Sequence, residues 1–398
     1  MTRSGPSSAN PPAVAAIGIV GRQGLSAYDL GADHPLAPLN RELAVDLIRA
    51  YGMLDRPDVV VLPPGPGDED LVARVHTGAY MAAVRRYSAT PQLAAAFEAG
   101  MWGLAHGGDT PAFAGMHEAA IAVCGTSVTA ARAVWEGRVD RVLSVAGGLH
   151  HAFANKAGGF CIYNDPAVAI HWLLLNGAER VAYVDVDVHH GDGTQFLFYD
   201  DPRVLTCSVH ESGRYLFPGT GAIAERGTGP GEGYSVNIPL PAFSGDGPYL
   251  RAIEEVIVPA VTAFRPDVIV TQDGVDPHHQ DPLAHLQVRM AVFPRLWRTL
   301  HRLADAAAGG RWVALGGGGY NVDVLPRAWA LLFAEMTGAD LPDDLPADWL
   351  DLAAGRTGRG DLTTTLLGDP EPEVVEDERT RADAEGHAVV DEAVETLL

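Results

Sequence analysis

The chain has 398 residues, 47% of them hydrophobic, which is enough for one large core or two ordinary ones. Its 28 basic and 51 acidic residues leave a net charge of −23, which argues against nucleic acid and favours cationic small molecules or basic peptides at long range. Simple solubility would give the same balance, so charge alone selects no substrate.

Lys156 is the sole lysine, so lysine-based covalent chemistry rests on one residue in a Gly-rich turn. The cysteines, Cys124, Cys161 and Cys207, are odd in number and form no CxxC pair, which fits a reducing compartment. No apolar run approaches the length of a membrane span, and the first residues lack a signal peptide's layout. A soluble, cytoplasmic protein is expected, with no direct nucleic-acid or membrane partner; the oligomeric state is not readable.

In chain order, residues 1–12 read as a flexible leader and 13–368 as one catalytic domain. Strand-like runs begin at Val14, Val59, Arg141, Arg180, Arg203, Asp267 and Arg311. Ala- and Leu-rich stretches with helical character separate many of them, among them those starting at His117 and Val288. Such alternation predicts an α/β fold with a mostly parallel sheet covered on both faces. Several strands run straight into polar or glycine-rich loops: GGLHH, DVHHGDG, SVHESG, QDGVD and GGGGYN. Ligands of open α/β sheets sit beyond the carboxyl ends of strands, where these loops fall. Residues 369–398 carry eleven acids against Arg379 and Arg381, and read as a solvated extension or a peripheral helix from about Arg379, without chemistry.

The most informative stretch runs from Val184 to Gly193. Strand alternation puts Val184, Val186 and Val188 on one face, and Asp185, Asp187 and His189 on the other. Two acids and an imidazole on one face are costly to bury unless they pair or bind a cation. Asp187 and His189 stand about 6–7 Å apart along an ideal strand, so both can reach one ion. Carboxylate and imidazole suit Zn²⁺ or Fe²⁺, and a catalytic site wants a third protein ligand and an open position. Asp276 fits, but Asp273, His278 and His279 are rivals that spacing does not eliminate. His150 and His151 end another strand as candidate acid and base, with Asp185 and Asp192 free to orient them. The glycine run before Tyr320 lacks phosphate-loop spacing; it admits close backbone approach and turns a candidate oxyanion donor inward.

Together these residues resemble the metal-dependent histone deacetylases, most closely the bacterial acetoin-utilisation branch. The resemblance is carried by YDLGADHPLAPLNRELAVDLIRAYG from Tyr28, GGDTPAFAGMHEAA from Gly107, GGLHHA from Gly147, GGFCIYNDPAVAI from Gly158, VDVDVHHGDGTQ from Val184, FPGTG from Phe217, GYSVNIPL from Gly233, DGVDPHHQDPLAHL from Asp273 and GGGGYN from Gly316. They occur in family order over roughly Tyr28 to Trp329. The resemblance implies the arginase–deacetylase fold, an eight-stranded parallel sheet flanked by helices on both faces. It implies Asp187, His189 and Asp276 as metal ligands, with Zn²⁺ or Fe²⁺ as the ion. It pairs His150 with Asp185 and His151 with Asp192, and gives Tyr320 the acetyl carbonyl. Gly159 and Phe160 would line one wall of a narrow tunnel and Phe217 the other, with Asp109 at the rim holding the substrate backbone. Structural K⁺ is implied at Asp185, Asp187, His189, Ser208 and Val209, and again at Phe198, Asp201, Val204 and Tyr234.

The chain departs from the family at Asn40, where an arginine usually lies near the acetate exit; Arg41 is next to it. His278 and His279 also stand where other residues are more typical, and either could alter the rim or compete for metal. The expected reaction is hydrolysis of an acetylated amine, with the acetyl-lysine side chain of a protein or peptide as substrate. Alternatives are an acetylpolyamine or other small acetylated amine, an arginase-like ureohydrolase, and a catalytically silent scaffold that binds acetylated ligands.

Overall fold

In the computed structural model the described residues are 16–21, 25–95 and 97–398; the expected leader, 1–12, lies outside them. Among these residues eight strands form one sheet: β1 (Ile17–Val20), β2 (Val59–Leu62), β3 (Arg141–Ser144), β4 (Val181–Asp185), β5 (Val204–Glu211), β6 (Ser235–Leu240), β7 (Val268–Gln272) and β8 (Trp312–Leu315). Their order is β2-β1-β3-β8-β7-β4-β5-β6, and every pairing is parallel. This is the arginase–deacetylase arrangement.

The inner strands β3, β8, β7 and β4 each feed both faces. Ile269, Trp312 and Ala314 join one apolar cluster, while Val268, Val270, Val313 and Leu315 join the other. Strands buried on both sides need no polar alternation, which is why they read as nearly continuous apolar runs. Helices Phe293–Ala308 and Leu325–Thr337 bring Trp297 and Trp329 to the first cluster. Helices Met116–Trp135 and Asp165–Leu175 cover the second. Pro294 and Pro326 sit in the first turns of their helices, where a missing N–H costs nothing.

Two sequence expectations are revised. The residue pattern identifies seven strands; β6 escapes it because Asn237 and Pro239 interrupt its apolar run. That composition is tolerated because β6 is the sheet's edge, where a missing ladder donor is harmless. Strand β4 also ends at Asp185, so Asp187 and His189 lie in the loop beyond it rather than on a shared strand face. Val186 and Val188 are nonetheless fully buried.

Residues 376–397 form one helix, beginning three residues before Arg379, with Glu376, Asp377 and Glu378 in its first turn, where the helix dipole favours acids. Ala382, Gly386, Val390 and Ala393 form its buried stripe, which packs on β6 and on the helical segment 246–257. The helix shields the exposed sheet edge. Asp383 accepts the Gly245 N–H at 2.7 Å, and Asp391 pairs with Arg251 at 2.8 Å.

Val390→Asp puts an unpaired carboxylate into that contact. It should lower unfolding free energy by about 2–4 kcal/mol, read as a lower urea midpoint. An unchanged midpoint would mean that the helix does not contribute to the fold.

Candidate active site

Four of the adjacent inner strands, β3, β8, β7 and β4, end in the loops that carry the candidate residues. After β4, Asp187 Oδ1 lies 3.1 Å from His189 Nδ1. After β7, Asp276 Oδ2 approaches the same nitrogen at 3.1 Å. These three side chains form a group able to hold a metal ion, and all are buried. Asp273 is not part of it; its carboxylate accepts the Thr271 hydroxyl at 2.7 Å. His278 and His279 cluster with Asp369 instead.

The remaining oxygens are held by fixed donors. Asp187 Oδ2 accepts the Gln272 side-chain amide and the Gly318 N–H, each at 2.7 Å. Asp276 Oδ1 accepts the Val188 N–H at 2.8 Å. A Cβ on Gly318 would fall 2.0 Å from Asp276 Oδ2, and one on Gly274 would fall 2.2 Å from Asp187 Oδ2. The glycine run therefore lets backbone close over the carboxylates. Burial and the charge of Asp187 push the Asp276 carboxyl well up. Burial also opposes Asp187, but His150 and the contacts from His189 and Gln272 hold it well below the usual range. Two buried acids in mutual opposition around one imidazole are the donor set a divalent cation would relieve.

The loop after β3 turns at Gly148, φ +93°, where a Cβ would meet Gly316 O at 2.2 Å. It presents two histidines. His150 Nδ1 lies 2.7 Å from Asp185 Oδ2, and His151 Nδ1 lies 2.7 Å from Asp192 Oδ1. Their Nε2 atoms face each other at 3.0 Å, so a single proton between them satisfies both. Burial disfavours charge on His150, but Asp185 and Asp187 outweigh it and lift the ring to about 9. Burial and the neighbouring His150 push His151 down to about 4, against Asp192. The environments drive the two rings apart, one tending to hold a proton and the other to lack one.

A slender cavity reaches these groups, lined by His150, His151, Asp187, Phe160, Tyr320 and Arg41 among others. Phe160 and Tyr320 meet edge to face, 5.6 Å between centroids, and Phe217 packs on His151 at 5.0 Å. Gly159 and Phe160 both have positive φ, and a Cβ on Gly159 would strike His151 Cδ2 at 2.2 Å. Tyr320 is placed by its backbone N–H, which donates to Asp281 Oδ2 at 2.8 Å. Burial, then Asp276 and Asp187, push its phenol well above the usual range. Outside lies a basin of ≈ 340 Å³ lined by Asp109, His151, Lys156, Asp192 and Phe217. Asp109 stands at this mouth, where its Oδ2 accepts the Gly159 N–H at 2.8 Å.

Of the residues expected around potassium, Ser208 pairs with Asp185 across β5 and β4, and Val209 is fully buried beside it. The second set gathers at the start of β5. Phe198 O accepts the Asp201 N–H, Asp201 O accepts the Val204 N–H, and Tyr234 O accepts the Thr206 N–H. The Asp201 carboxylate pairs with Arg203 at 2.6 Å.

Several residues that matter to this geometry were not singled out by the sequence. Asp165 collects the Gly148 and Leu149 N–H groups at 3.0 and 2.8 Å and the Ser127 hydroxyl, fixing the loop that carries the histidines. Asn164 caps the helix that follows and holds the carbonyls of His150 and Ala152. An Asn-Asp-Pro helix start was the visible signal. The usual family arginine is absent at Asn40, but Arg41 is buried in the cavity wall and donates to Gly317 O at 3.0 Å. One residue along, a guanidinium still faces the same space. Cys161 is buried, its thiol directed to Gly159 O.

Residues 34–336 match the family model described as histone deacetylase domain. The chain is 44% identical over 324 residues to the acetoin utilization protein AcuC of Bacillus subtilis (strain 168), covering 81% of this chain and 82% of that one. It is 36% identical over 325 residues to the protein of the same name from Staphylococcus xylosus, covering 81% and 83%.

His76 supports the site from behind. Its Nδ1 donates to Phe153 O at 3.0 Å, and its Nε2 accepts the Asn164 N–H at 3.0 Å, which requires the neutral ring. Burial pushes it down to about 4. A base with a depressed folded pKa adds stability above its unfolded value and loses it as the pH falls towards the folded one. Stability should therefore drop by up to roughly 3 kcal/mol between about pH 6.5 and 4. The slope should flatten in His76→Asn; urea unfolding at several pH values with equal slopes in both proteins would refute this.

Proposed function

Since the chain belongs to the histone deacetylase family, in its acetoin-utilisation branch, and is a metal-dependent deacetylase, we propose that it hydrolyses the acetyl-lysine side chain of a protein or peptide to free amine and acetate. The observation that carries this is the convergence of Asp187, His189 and Asp276 beside two histidines whose Nε2 atoms are 3.0 Å apart. The wall of Phe160 and Phe217 suits an unbranched apolar stem and excludes bulkier ones. The charge of −23 favours a cationic product and a basic peptide context.

Asp187, His189 and Asp276 would hold the ion, with Zn²⁺ the favoured occupant and Fe²⁺ the alternative. When bound, it supplies Lewis acidity and makes a water acidic enough to lose its proton near neutral pH. The protons are then the business of the side chains. His151 Nδ1–H donates to Asp192, and its Nε2, which accepts the His150 Nε2–H in the resting pair, becomes the base for the attacking water when that proton turns to the substrate. His150, tied to Asp185, keeps a proton at Nε2 for the departing amine, which cannot leave as an anion. The Tyr320 phenol remains protonated at neutral pH and donates to the oxygen of the tetrahedral adduct, where negative charge grows. Asp109 orients the substrate backbone at the mouth, and Gly159 gives the stem its passage.

Potassium, by the same family reading, belongs near Asp185, Asp187, His189, Ser208 and Val209, and near Phe198, Asp201, Val204 and Tyr234. No helix among the described residues is long and apolar enough to cross a membrane. The three cysteines are free and buried. Both facts support a cytoplasmic reading.

Two experiments test these assignments. Acetate release from metal-loaded protein should be fastest with acetyl-lysine peptides in a panel with acetylpolyamines and arginine; a preference for acetylpolyamine would displace the peptide reading. Tyr320→Phe should cost about 10²–10³ in kcat with metal content unchanged, and Asp187→Ala should lose metal and turnover together. Full turnover by Tyr320→Phe would remove the tyrosine from the mechanism.

A further inference from the structure

A second group of side chains able to hold a metal ion lies outside the catalytic centre: His278, His279 and Asp369. His278 Nε2 is 3.0 Å from Asp369 Oδ1, and His279 Nε2 is 3.4 Å from the same oxygen. The side chains are 0%, 4% and 12% exposed respectively, so little water reaches them. Yet both Nε2 atoms and Asp369 Oδ1 lack a hydrogen-bond partner. The distances would permit hydrogen bonds, but the ring N–H directions do not. The three ligand atoms lie within 4.8 Å of one another, close enough to share one ion.

That spacing has a simple chemical meaning. Two donors each about 2.0–2.1 Å from a tetrahedral ion stand roughly 3.3–3.4 Å apart. The rest of the cluster is already fixed. Asp369 Oδ2 accepts the Met290 N–H at 2.7 Å, which leaves Oδ1 as its free oxygen. Arg327, whose charge reaches the cluster, is balanced by Asp323 at 3.7 Å and donates to Gly368 O at 2.6 Å.

We propose that His278, His279 and Asp369 form a second, non-catalytic site for a divalent metal of the zinc class. Binding at His278 Nε2 requires the ring proton on Nδ1, where the Gln280 N–H now donates at 3.2 Å, so the turn 278–280 must shift to release that contact when the ion binds. The ion would fasten Asp369, just before the C-terminal helix, to the turn after Asp276. That turn carries Asp281, which holds the Tyr320 N–H, and Gln280, whose carbonyl accepts from Asn321. The site is thus a clasp between the end of the chain and the two loops that shape the active centre.

Cobalt alone serves as the probe. Full-length protein carrying Asp187→Ala and His189→Ala should still bind about one Co²⁺ per chain after dialysis, with visible absorption of a nitrogen-containing low-coordinate site. Adding His279→Gln or Asp369→Asn should abolish that binding. A folded double variant, checked by circular dichroism, that binds no cobalt overturns the proposal. In the otherwise unaltered chain, His279→Gln should reduce bound Co²⁺ from about two to about one while deacetylation continues. Equal cobalt in both proteins also overturns it. Failure here leaves the deacetylase assignment untouched, since that is read from acetate release.

Discussion

The structure is organised around the burial of Asp187 and Asp276 against one imidazole. Neither carboxylate has water to solvate it, and each repels the other. The protein meets this cost with directed donors: the Gly318 N–H and the Gln272 amide for Asp187, and the Val188 N–H for Asp276. Those donors require backbone to approach closer than any Cβ would permit, hence the glycines at 274 and 318. The parallel sheet makes the approach possible, because neighbouring strand ends rise side by side and their loops meet over one point.

The same economy governs the histidines. Asp185 and Asp192 lie on either side of the pair, and each carboxylate fixes one Nδ1. What distinguishes the rings is position: His150 also feels Asp187, whereas His151 feels His150. Two identical side chains, adjacent in sequence, are thereby pushed in opposite directions. Asp165 matters as much as either partner, because it sets the loop from which both project.

Much of this was legible from residues alone. The strand-ending loops and the adjacent histidines predict acids and imidazoles gathered beyond the sheet, and the structure brings them together, although Asp187 and His189 lie past the end of β4 rather than on its face. Choosing Asp276 over Asp273, His278 and His279 was beyond spacing and came from resemblance; the geometry brings Asp276, not its rivals, to His189. Strand β6 was hidden because edge position relaxes the composition that marks inner strands. The role of Arg41 was hidden because register around a helix start cannot be counted from sequence to within one residue. The tail's packing was hidden because its buried stripe is made of small residues, Ala382, Gly386 and Ala393, with one valine.

The chain's solitary lysine lies in the basin outside the tunnel, beside Asp109 and Phe217. Lys156 is therefore the one side-chain amine on the molecule, and it lines the basin at the mouth of the proposed tunnel. An amine-directed fluorophore would report occupancy of the entrance with no cysteine engineering. The same scarcity leaves the enzyme almost nothing of its own for acetyl donors to modify, so its charge is insulated from the acylation state of its surroundings.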